Sequence, residues 1–262
     1  MKTSGNTILI TGGGSGIGAA LAQRFARRGD TVIVAGRRQA ALDEAIAGHD
    51  DMHALTLDMD DAAAIKTFAA EVVERFPALN VVIHNAGIMR FEGLEGARDL
   101  SDAEAQITTN LLGPIRLTDA LVDHLKGQVD AAIVTVTSGL AFVPLVAAPT
   151  YSATKAAVHS YTVSLREALK GQVEVIEIAP PGVRTDLTPG QADRTGYLGL
   201  HDFADEVMAL ISQEPTPPEI LVERVRDFRN AEADGAFAER FKGMNDFARA
   251  ERKKANKAKA DA

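Results

Sequence analysis

The chain has 262 residues, of which 46% are hydrophobic, and a formal net charge of −8 at neutral pH. This length and apolar content can bury one large α/β core or two small ones. The negative charge argues against a nucleic-acid partner, which normally meets a broad basic face. The absence of cysteine excludes disulfides, thiolate metal sites and cysteine nucleophiles, and agrees with a reducing compartment.

The sequence shows neither a membrane span nor a secretion signal. No stretch approaches the roughly 20 continuous apolar residues that cross a bilayer, and residues 7–10 already form a short aliphatic run near the N-terminus. We therefore expect no membrane partner and a cytoplasmic location.

Short aliphatic runs alternate with longer Ala-rich amphipathic segments over the first 180 residues. This alternation predicts a single doubly wound, Rossmann-type parallel sheet with helices on both faces. The predicted strands lie near 7–11, 31–35, 53–57, 80–84, 131–137 and 173–179. The predicted helices lie near 17–28, 39–47, 61–75, 101–126 and 151–170.

A glycine-rich turn, Thr11-Gly-Gly-Gly-Ser-Gly-Ile-Gly, joins the first strand directly to the first helix. Glycines let the backbone approach a pyrophosphate, and the helix N-terminus offers unpaired N–H groups to it. The alternative is a turn that only connects a strand to a helix. We expect a dinucleotide to contact Gly12, Ser15, Gly16, Ile17 and Gly18.

Two arginines, Arg37 and Arg38, follow the second strand, where an NAD-binding chain would usually place an acidic residue for the ribose 2′-hydroxyl. Guanidinium groups suit a 2′-phosphate, because they meet phosphate oxygens with paired hydrogen bonds. A solvated basic turn is the alternative. The sequence favours NADP(H) over NAD(H).

A tyrosine and a lysine, Tyr151 and Lys155, stand four residues apart in the fifth predicted helix and therefore side by side on one face. A neighbouring cation favours the phenolate, so we expect Lys155 to lower the pKa of Tyr151 toward the range useful for acid–base catalysis. By itself this spacing is weak support for a site.

The region after the sixth strand changes character. Seven prolines and glycines punctuate about 20 residues, which predicts a mobile loop over the C-terminal edge of the sheet, before a helix near 201–213. Thr216-Pro-Pro-Glu reads as a capping box that starts a helix to about Ala233, and Phe237, Phe241, Met244 and Ala248 give the next helix an apolar stripe. No convincing seventh strand is visible.

We therefore expect one domain over residues 1–250, in which 216–250 form a helical extension. Residues 251–262 are rich in Ala and Lys without apolar periodicity, which predicts a disordered basic tail.

Several motifs occur in one order: Thr11-x3-Gly-x-Gly, His84-Asn-Ala-Gly, Asn110, Ser138 and Tyr151-x3-Lys. In this set the chain resembles the short-chain dehydrogenases/reductases of ordinary length, over roughly residues 5–215. Further stretches, including Thr137–Pro144 and Glu219–Arg224, are similar to the DltE-type oxidoreductases.

The resemblance implies a catalytic set. Tyr151 would exchange a proton with the substrate oxygen, and Ser138 would hydrogen-bond the same oxygen. Lys155 would hold the nicotinamide ribose and Asn110 would position a water leading to solvent. In isolation, Ser138 could cap a turn, Asn110 could be an interhelical polar residue beside a Gly113-Pro114 kink, and Tyr151 could be a packing residue.

The resemblance also implies contacts with the cofactor beyond the glycine-rich turn. Asp58 would contact the adenine, with a role as N-cap of the next helix as the alternative. Val183 and Thr185 would hold the nicotinamide carboxamide. The full set implied by the resemblance also includes Met59, Asn85, Ala86, Gly87, Tyr151 and Lys155.

Three departures from the family pattern stand out. His84 replaces a more usual Asn, and we interpret it as a buried, hydrogen-bonded histidine. Pro181 takes a glycine position and should stiffen the loop start. The C-terminus lacks the usual final strand and Asp-Gly-Gly ending, on which tetramers commonly depend, so we predict a homodimer built on helices 101–126 and 151–170. A monomer is the alternative.

The predicted substrate wall is apolar, which favours a hydrophobic ketone, aldehyde or alcohol, although Arg90 or Arg184 could receive an anionic group. No metal site is expected, because the six histidines are scattered. The sequence thus predicts an NADPH-dependent carbonyl reductase. A catalytically silent NADP(H)-binding protein is the alternative, and an enoyl reductase is disfavoured by the tyrosine-to-lysine spacing. The predicted wall comprises Met89, Phe91, Leu140, Phe142, Val146 and Leu187.

Overall fold

The computed structural model describes the backbone of residues 1–260 and the side chains of residues 1–250. Its seven strands are β1 (Thr7–Thr11), β2 (Thr31–Gly36), β3 (Met52–Thr56), β4 (Val81–His84), β5 (Ala132–Val136), β6 (Glu174–Ile178) and β7 (Glu219–Ile220). Its helices are α1 (Gly16–Arg27), α2 (Gln39–Ile46), α3 (Ala62–Arg75), α4 (Ser101–Ile107), α5 (Gly113–Lys126), α6 (Pro149–Ala168), α7 (Leu200–Ile211), α8 (Glu223–Arg229) and α9 (Phe237–Ala260).

The strands form one parallel sheet in the order β3-β2-β1-β4-β5-β6-β7. Its order reverses between β1 and β4, which is where doubly wound sheets open a crevice at the carboxyl ends of their strands. The predicted α/β fold class is confirmed, and the six predicted strands agree with the observed ones within one or two residues.

Helices cover both faces of the sheet, and successive side chains of each strand point alternately to one face and the other. In β1, Ile8 and Ile10 pack in a core on the side of α1 and α7, whereas Leu9 packs in a second core on the side of α3 and α5. All three side chains are fully buried. Burial on both faces explains why the strands read as continuous aliphatic runs rather than as an alternation of apolar and polar residues.

The expectation of a helix beginning at Thr216 is wrong, and a seventh strand is present. Glu177 N donates to Pro218 O at 2.9 Å and Ala179 N donates to Ile220 O at 3.3 Å, so this segment continues the sheet. Ile220 is completely buried in the core beside α7. The helix begins only at Glu223, because the preceding residues are used in strand pairing.

The predicted helix 101–126 is interrupted. Residues Thr108–Leu112 form a π-helical turn between α4 and α5, rather than the kink that Gly113-Pro114 suggested. The predicted final helix is present as α9, and the disorder predicted for 251–262 falls on residues whose side chains lie outside the described part. Among the described residues, no helix is long and apolar enough to cross a membrane.

Candidate active site

The glycine-rich turn after β1 is pressed against the segment that follows β4. Gly12 has a φ of +67°, and a Cβ built on it would lie 2.8 Å from the Cα of Ala86. A Cβ on Gly18 would overlap the carbonyl oxygen of Gly12. Asn85 Nδ2 donates to the carbonyl oxygens of Thr11, at 3.0 Å, and Gly12, at 3.2 Å. The turn therefore has no room for a side chain at Gly12 or Gly18, and its backbone is held at the start of α1.

A groove of about 200 Å³ runs from this turn across the ends of β2 and β3. Eight predicted cofactor residues do not line it. Tyr151 and Lys155 lie on α6, Val183 and Thr185 lie in the loop after β6, and the other four lie at the turn or behind it. Gly18 and Asn85 support the turn from behind, Ile17 packs against the core, and a Cβ on Gly16 would lie 3.5 Å from Thr185 Cγ2. The predicted residues that line the groove are Gly12, Ser15, Arg37, Arg38, Asp58, Met59, Ala86 and Gly87.

The two arginines stand at the open rim of this groove. The Arg37 side chain is 57% exposed, and its Nη1 lies 3.9 Å from Asp60 Oδ2, which is a loose pairing. Among the described side chains, Arg38 forms no ion pair. Both guanidinium groups can therefore reach an anion in the groove without first breaking a buried contact.

Asp58 does not cap the next helix, so that alternative is wrong. The N-cap of α3 is Asp61, whose carboxylate accepts from the backbone N–H groups of Ala63 and Ala64. Asp58 Oδ1 instead accepts from Asp60 N at 3.0 Å within the turn after β3. Its side chain thus remains exposed at the groove.

The tyrosine, serine and lysine of the predicted catalytic set come together. Tyr151 and Lys155 lie on α6, Ser138 follows β5, and all three residues are buried. The phenol of Tyr151 is hydrogen-bonded with Ser138. Ser138 Oγ also accepts from Leu140 N at 3.1 Å, so this side chain caps the short 3₁₀ turn as well. Lys155 Nζ donates to Val136 O at 2.8 Å and lies 5.6 Å from the centre of the Tyr151 ring.

The pKa of Tyr151 departs from the expectation. Burial raises it to about 12, and the hydrogen bond with Ser138 acts in the opposite direction. Burial also lowers the pKa of Lys155 to about 8. The expectation that Lys155 lowers the pKa of Tyr151 below its ordinary value is wrong for this structure, because the loss of solvation disfavours both charged forms.

Asn110 lies in the π-helical turn and bridges two other elements. Its Oδ1 accepts from Ile88 N at 2.8 Å, and its Nδ2 donates to Ile88 O at 2.8 Å and to Thr154 Oγ1 at 3.2 Å. A Cβ on Gly87 would lie 3.3 Å from Asn110 Oδ1 and 3.6 Å from Lys155 Nζ. The amide therefore joins the loop after β4 to α6, beside the lysine. Such turns occur frequently at functional sites.

His84 is buried, as predicted. Its Nε2 lies 2.9 Å from Thr118 Oγ1, and burial lowers the pKa of the imidazole to about 4. A neutral histidine in this position joins β4 to α5 and lines neither the groove nor the larger cavity described next.

A cavity of about 980 Å³ opens on the other side of Tyr151 and Ser138. Phe142 and Val146 do not line it, contrary to the prediction. Phe142 packs edge-on against His159, at 5.0 Å between ring centres, and Val146 donates its backbone N–H to Asn245. Arg90 and Arg184 are also absent from the lining. The predicted residues that line it are Met89, Phe91, Leu140 and Leu187.

Residues of the loop after β6 line this cavity, and the predicted mobility of the loop stays a prediction. Gln191, which the sequence did not single out, is buried and donates from Nε2 to Val183 O at 2.9 Å and to Thr185 Oγ1 at 3.1 Å. Val183 also forms an isolated parallel bridge with Leu198. The loop is thus folded on itself, and Pro180, Pro181 and Leu187 face the cavity.

A second group of charged residues lies between the end of β5, α6 and β7, and it was not predicted from the sequence. Glu177 is fully buried; it accepts from Thr137 Oγ1 at 2.6 Å and lies 2.8 Å from His159 Nδ1. Arg229 binds the Glu219 carboxylate through two hydrogen bonds. His159, Glu177 and Glu219 have metal-type ligand atoms within 4.8 Å of one another, although Arg229 already supplies a cation to this group.

The chain belongs to the short chain dehydrogenase family, since the sequence model of that family matches residues 6–195. It is DltE-like: it is 39% identical to the uncharacterized oxidoreductase DltE of Bacillus subtilis over 235 residues, or 88% of this chain and 93% of that protein. It is also 33% identical to sulfoacetaldehyde reductase 2 of Chromohalobacter salexigens, over 88% of this chain and 97% of that protein.

Solved structures share the fold. A short chain dehydrogenase from Burkholderia cenocepacia in complex with NADP superposes with a TM-score of 0.79 at 24% identity, over 92% of this chain and 99% of that chain. The family is one of oxidoreductases, and the arrangement of strands and helices found here is the one its members have.

Proposed function

We propose that this protein catalyses the NADPH-dependent reduction of a ketone or aldehyde to an alcohol, a reaction that is reversible. The observation that carries this proposal is that Tyr151, Ser138 and Lys155 are buried together beside a glycine-lined groove, and that Tyr151 and Ser138 also line the large cavity. The groove suits a dinucleotide and the cavity suits a carbonyl compound, so the phenol would stand where the two meet.

The fit of the groove to a dinucleotide rests on its glycines and its rim. The backbone of Gly12 is close-packed and the N–H groups at the start of α1 are available to phosphate oxygens. Arg37 and Arg38 supply positive charge where a 2′-phosphate would lie, which favours NADP(H) over NAD(H). The Burkholderia cenocepacia relative of the same fold binds NADP.

When bound, the cofactor supplies the hydride, and this chain's residues hold the other groups. Lys155 would hold the nicotinamide ribose, while Val183 and Thr185 would hold its carboxamide. Asp58, Met59 and the Asn85–Gly87 segment would support the adenosine half.

The proton would come from Tyr151. A pKa of about 12 keeps the phenol protonated at neutral pH, so the side chain is ready to donate to a carbonyl oxygen. Ser138 would donate a hydrogen bond to the same oxygen and stabilise its developing negative charge. Asn110 would position a water that links Lys155 to solvent, and the replacement proton would reach the site through that water; the asparagine amide and the ammonium border the same backbone at Gly87.

The decisive experiment is a panel of ketones and aldehydes tested with NADPH and NADH, on the wild type and on Tyr151→Phe. We expect Tyr151→Phe to lower kcat by roughly 100-fold or more while the NADPH dissociation constant stays within about twofold, because general acid catalysis typically contributes 10²–10⁴-fold. Undiminished turnover by Tyr151→Phe would contradict the catalytic assignment.

A wild type that binds NADPH tightly but oxidises it with no member of the panel would instead support the alternative of a catalytically silent NADP(H)-binding protein. Fluorescence of bound NADPH measures the affinity without any turnover.

We also propose that the protein is a homodimer. Exposed apolar side chains lie on the helical segment 101–126 and on α6, among them Ile107, Leu112 and Val163. A second copy would cover this face.

A further inference from the structure

The helix that carries Tyr151 begins without a cap of its own. The residue before its first turn is Ala148, which has no side-chain oxygen to accept from the unpaired N–H groups of that turn. Glu92, a residue of the loop after β4, supplies the missing acceptor. Its carboxylate accepts from Thr150 N at 3.2 Å and from Thr150 Oγ1 at 3.0 Å. A negative charge at this end of α6 also interacts favourably with the helix dipole.

The carboxylate of Glu92 is almost fully enclosed, since its side chain is only 5% exposed. Besides Thr150, it accepts from Arg98 Nη1 at 2.5 Å and from Gln106 Nε2 at 3.2 Å. Four donors thus converge on two oxygens, and they come from the loop after β4, from α4 and from α6. A buried carboxylate whose bonds are satisfied in this way holds the three elements in one arrangement.

The same network anchors the backbone of the loop after β4. Gln106 is fully buried, and its Oε1 accepts from Arg90 N at 2.9 Å. Four residues later, the side chain of Asn110 binds both the N–H and the carbonyl group of Ile88. Together with Glu92, alternate residues of this loop are therefore fixed to the helices beside it.

The residues between these anchored positions line the large cavity. Met89 and Phe91 both line it, as does Tyr151. Met89 and Tyr151 also belong to one buried apolar cluster, against which Phe91 packs. The bonds of Glu92 therefore connect the start of the helix that carries the phenol with the segment that forms the facing part of the cavity.

We propose that Glu92 is a positioning residue: by capping α6 and anchoring the loop after β4, it holds the Tyr151 phenol in place for proton transfer, a role that rests on the proposed carbonyl reduction. Glu92 is absent from the cavity lining, so it would act through its neighbours and not by touching the substrate. The link is direct, because Thr150 precedes Tyr151 in the chain. Loss of Glu92 should slow turnover without weakening the binding of the cofactor.

Two substitutions of similar length test this role. Glu92→Met removes both acceptor oxygens, whereas Glu92→Gln keeps one oxygen, which can still accept from Thr150 N if the NH₂ group turns toward Arg98. We therefore expect Glu92→Gln to retain more activity than Glu92→Met. Glu92→Gln also keeps the test available if Glu92→Met does not fold.

The matched controls change a second buried carboxylate, far from the site. Asp30 accepts from Asn6 N at 2.8 Å and forms an ion pair with Arg28 at 2.8 Å. It precedes β2 and so lies at the amino ends of the strands, the edge of the sheet opposite to the site. Asp30→Leu and Asp30→Asn should lower the melting temperature and leave kcat per bound NADPH unchanged.

Three measurements are made on each variant: hydrogen exchange of the amides of residues 149–154 by mass spectrometry, the stoichiometry and dissociation constant of NADPH by fluorescence, and kcat and KM for the best carbonyl substrate of the panel. In Glu92→Met we expect roughly 10-fold faster exchange at the start of α6 and roughly 10–100-fold lower kcat, because a misplacement of about 1 Å can cost about 100-fold in rate. The NADPH stoichiometry should be unchanged, and its dissociation constant and KM should stay within about threefold, since the groove is not altered. Because kcat is referred to the chains that bind NADPH, an unfolded fraction cannot imitate this result.

A kcat in both Glu92 variants equal to that of the wild type would overturn the proposal, and so would unchanged exchange in residues 149–154. An equal loss of kcat in the Asp30 variants would also overturn it, because the effect would then be one of general stability. If the wild type reduces no carbonyl compound while exchange at the start of α6 rises only in the Glu92 variants, the cap stands and the proposed reductase activity fails. The two failures are therefore distinguishable.

Discussion

At the scale of single residues, the proposed site depends on two side chains of α6, Tyr151 and Lys155. The four-residue interval between Tyr151 and Lys155 places them on one helical face whatever the surroundings, and both lie together in the structure. Their pKa values depend on burial, which arises from the loops and helices around them. Burial raises the pKa of Tyr151 and lowers that of Lys155.

Cofactor preference is also decided by single residues. Arg37→Asp should weaken the affinity for NADPH by roughly 10–100-fold and leave the affinity for NADH within about threefold of the wild type. The reason is that charge-assisted hydrogen bonds to a phosphate contribute about 1.5–3 kcal/mol. Dissociation constants for both cofactors, from fluorescence titration, give the result. Arg27→Asp carries the same change of charge at an exposed position outside the groove and should alter neither. Equal losses for NADPH and NADH in Arg37→Asp would mean that Arg37 does not read the 2′-phosphate.

At the scale of elements, each incorrect or incomplete prediction of secondary structure has a specific physical cause. Thr216 to Glu219 has the residue pattern of a helix start, but Pro218 and Ile220 are used by β6 for strand pairing, and a two-residue strand has too little pattern of its own to be recognised. The π-helical turn at Asn110 was missed because it retains a helical composition. The apolar stripe of α9 was visible, but periodicity does not identify what a stripe covers.

The pair of half-buried His159 and buried Glu177 links two elements that carry the proposed site. Glu177 on β6 binds Thr137, the neighbour of Ser138, and also His159 on α6, the helix that carries Tyr151. The hydrogen bond that His159 donates to Glu177 raises the pKa of His159. Partial burial and Arg229 act to lower this pKa, whereas the negative charges of Glu177 and Glu219 act to raise it. This contact should hold the end of β5 and α6 together.

A pH dependence of stability follows. Because the folded-state pKa of His159 lies above its unfolded value of 6.5, its stabilisation is fully present below pH 6.5 and is lost as the pH rises through the folded-state pKa. The difference in free energy of unfolding between the wild type and His159→Gln should therefore be larger at pH 5.5 than at pH 9. Urea unfolding at the two pH values measures it.

The control is the same substitution in a Glu177→Gln background. Without the carboxylate, the pH dependence of the His159→Gln effect should largely disappear, because the partner that raises the pKa is gone. An effect of equal size at both pH values in the original background would show that His159 is held only by packing.

At the scale of the whole molecule, the alternation of aliphatic runs and amphipathic helices was sufficient to predict the sheet. The central strands β1, β2, β4, β5 and β6 are buried on both faces, so the composition of these strands and the order of elements agree with one architecture. Only part of the cavity lining could be predicted from the sequence. One side is formed by residues close to the motifs, such as Ser138 and Tyr151, whereas the other side comes from α8, α9 and the loop after β6, which carry no motif.

The proposed dimer can be tested on its exposed apolar face. Val163 on α6 is 47% exposed, and Val163→Glu should place a charge in the interface and yield monomers of 27.8 kDa in light scattering, whereas the wild type should have twice that mass. Val129→Glu is the matched control, since Val129 is 75% exposed but lies in the turn before β5. A wild-type tetramer or monomer would contradict the prediction.

The π-helical turn at residues 108–112 has a consequence for changes in chain length. Upstream, Gln106 is fully buried and accepts from Arg90 N; downstream, Leu117 is fully buried in the core. Deleting one residue between them would rotate one flank by about 100° relative to the other, and neither flank is free to turn. The π-helical turn holds one more residue than an α-helical turn, and so lets both buried side chains face their own partners. This segment should therefore tolerate replacement of its side chains, apart from the buried Thr109 and Asn110, far better than the loss of a single codon.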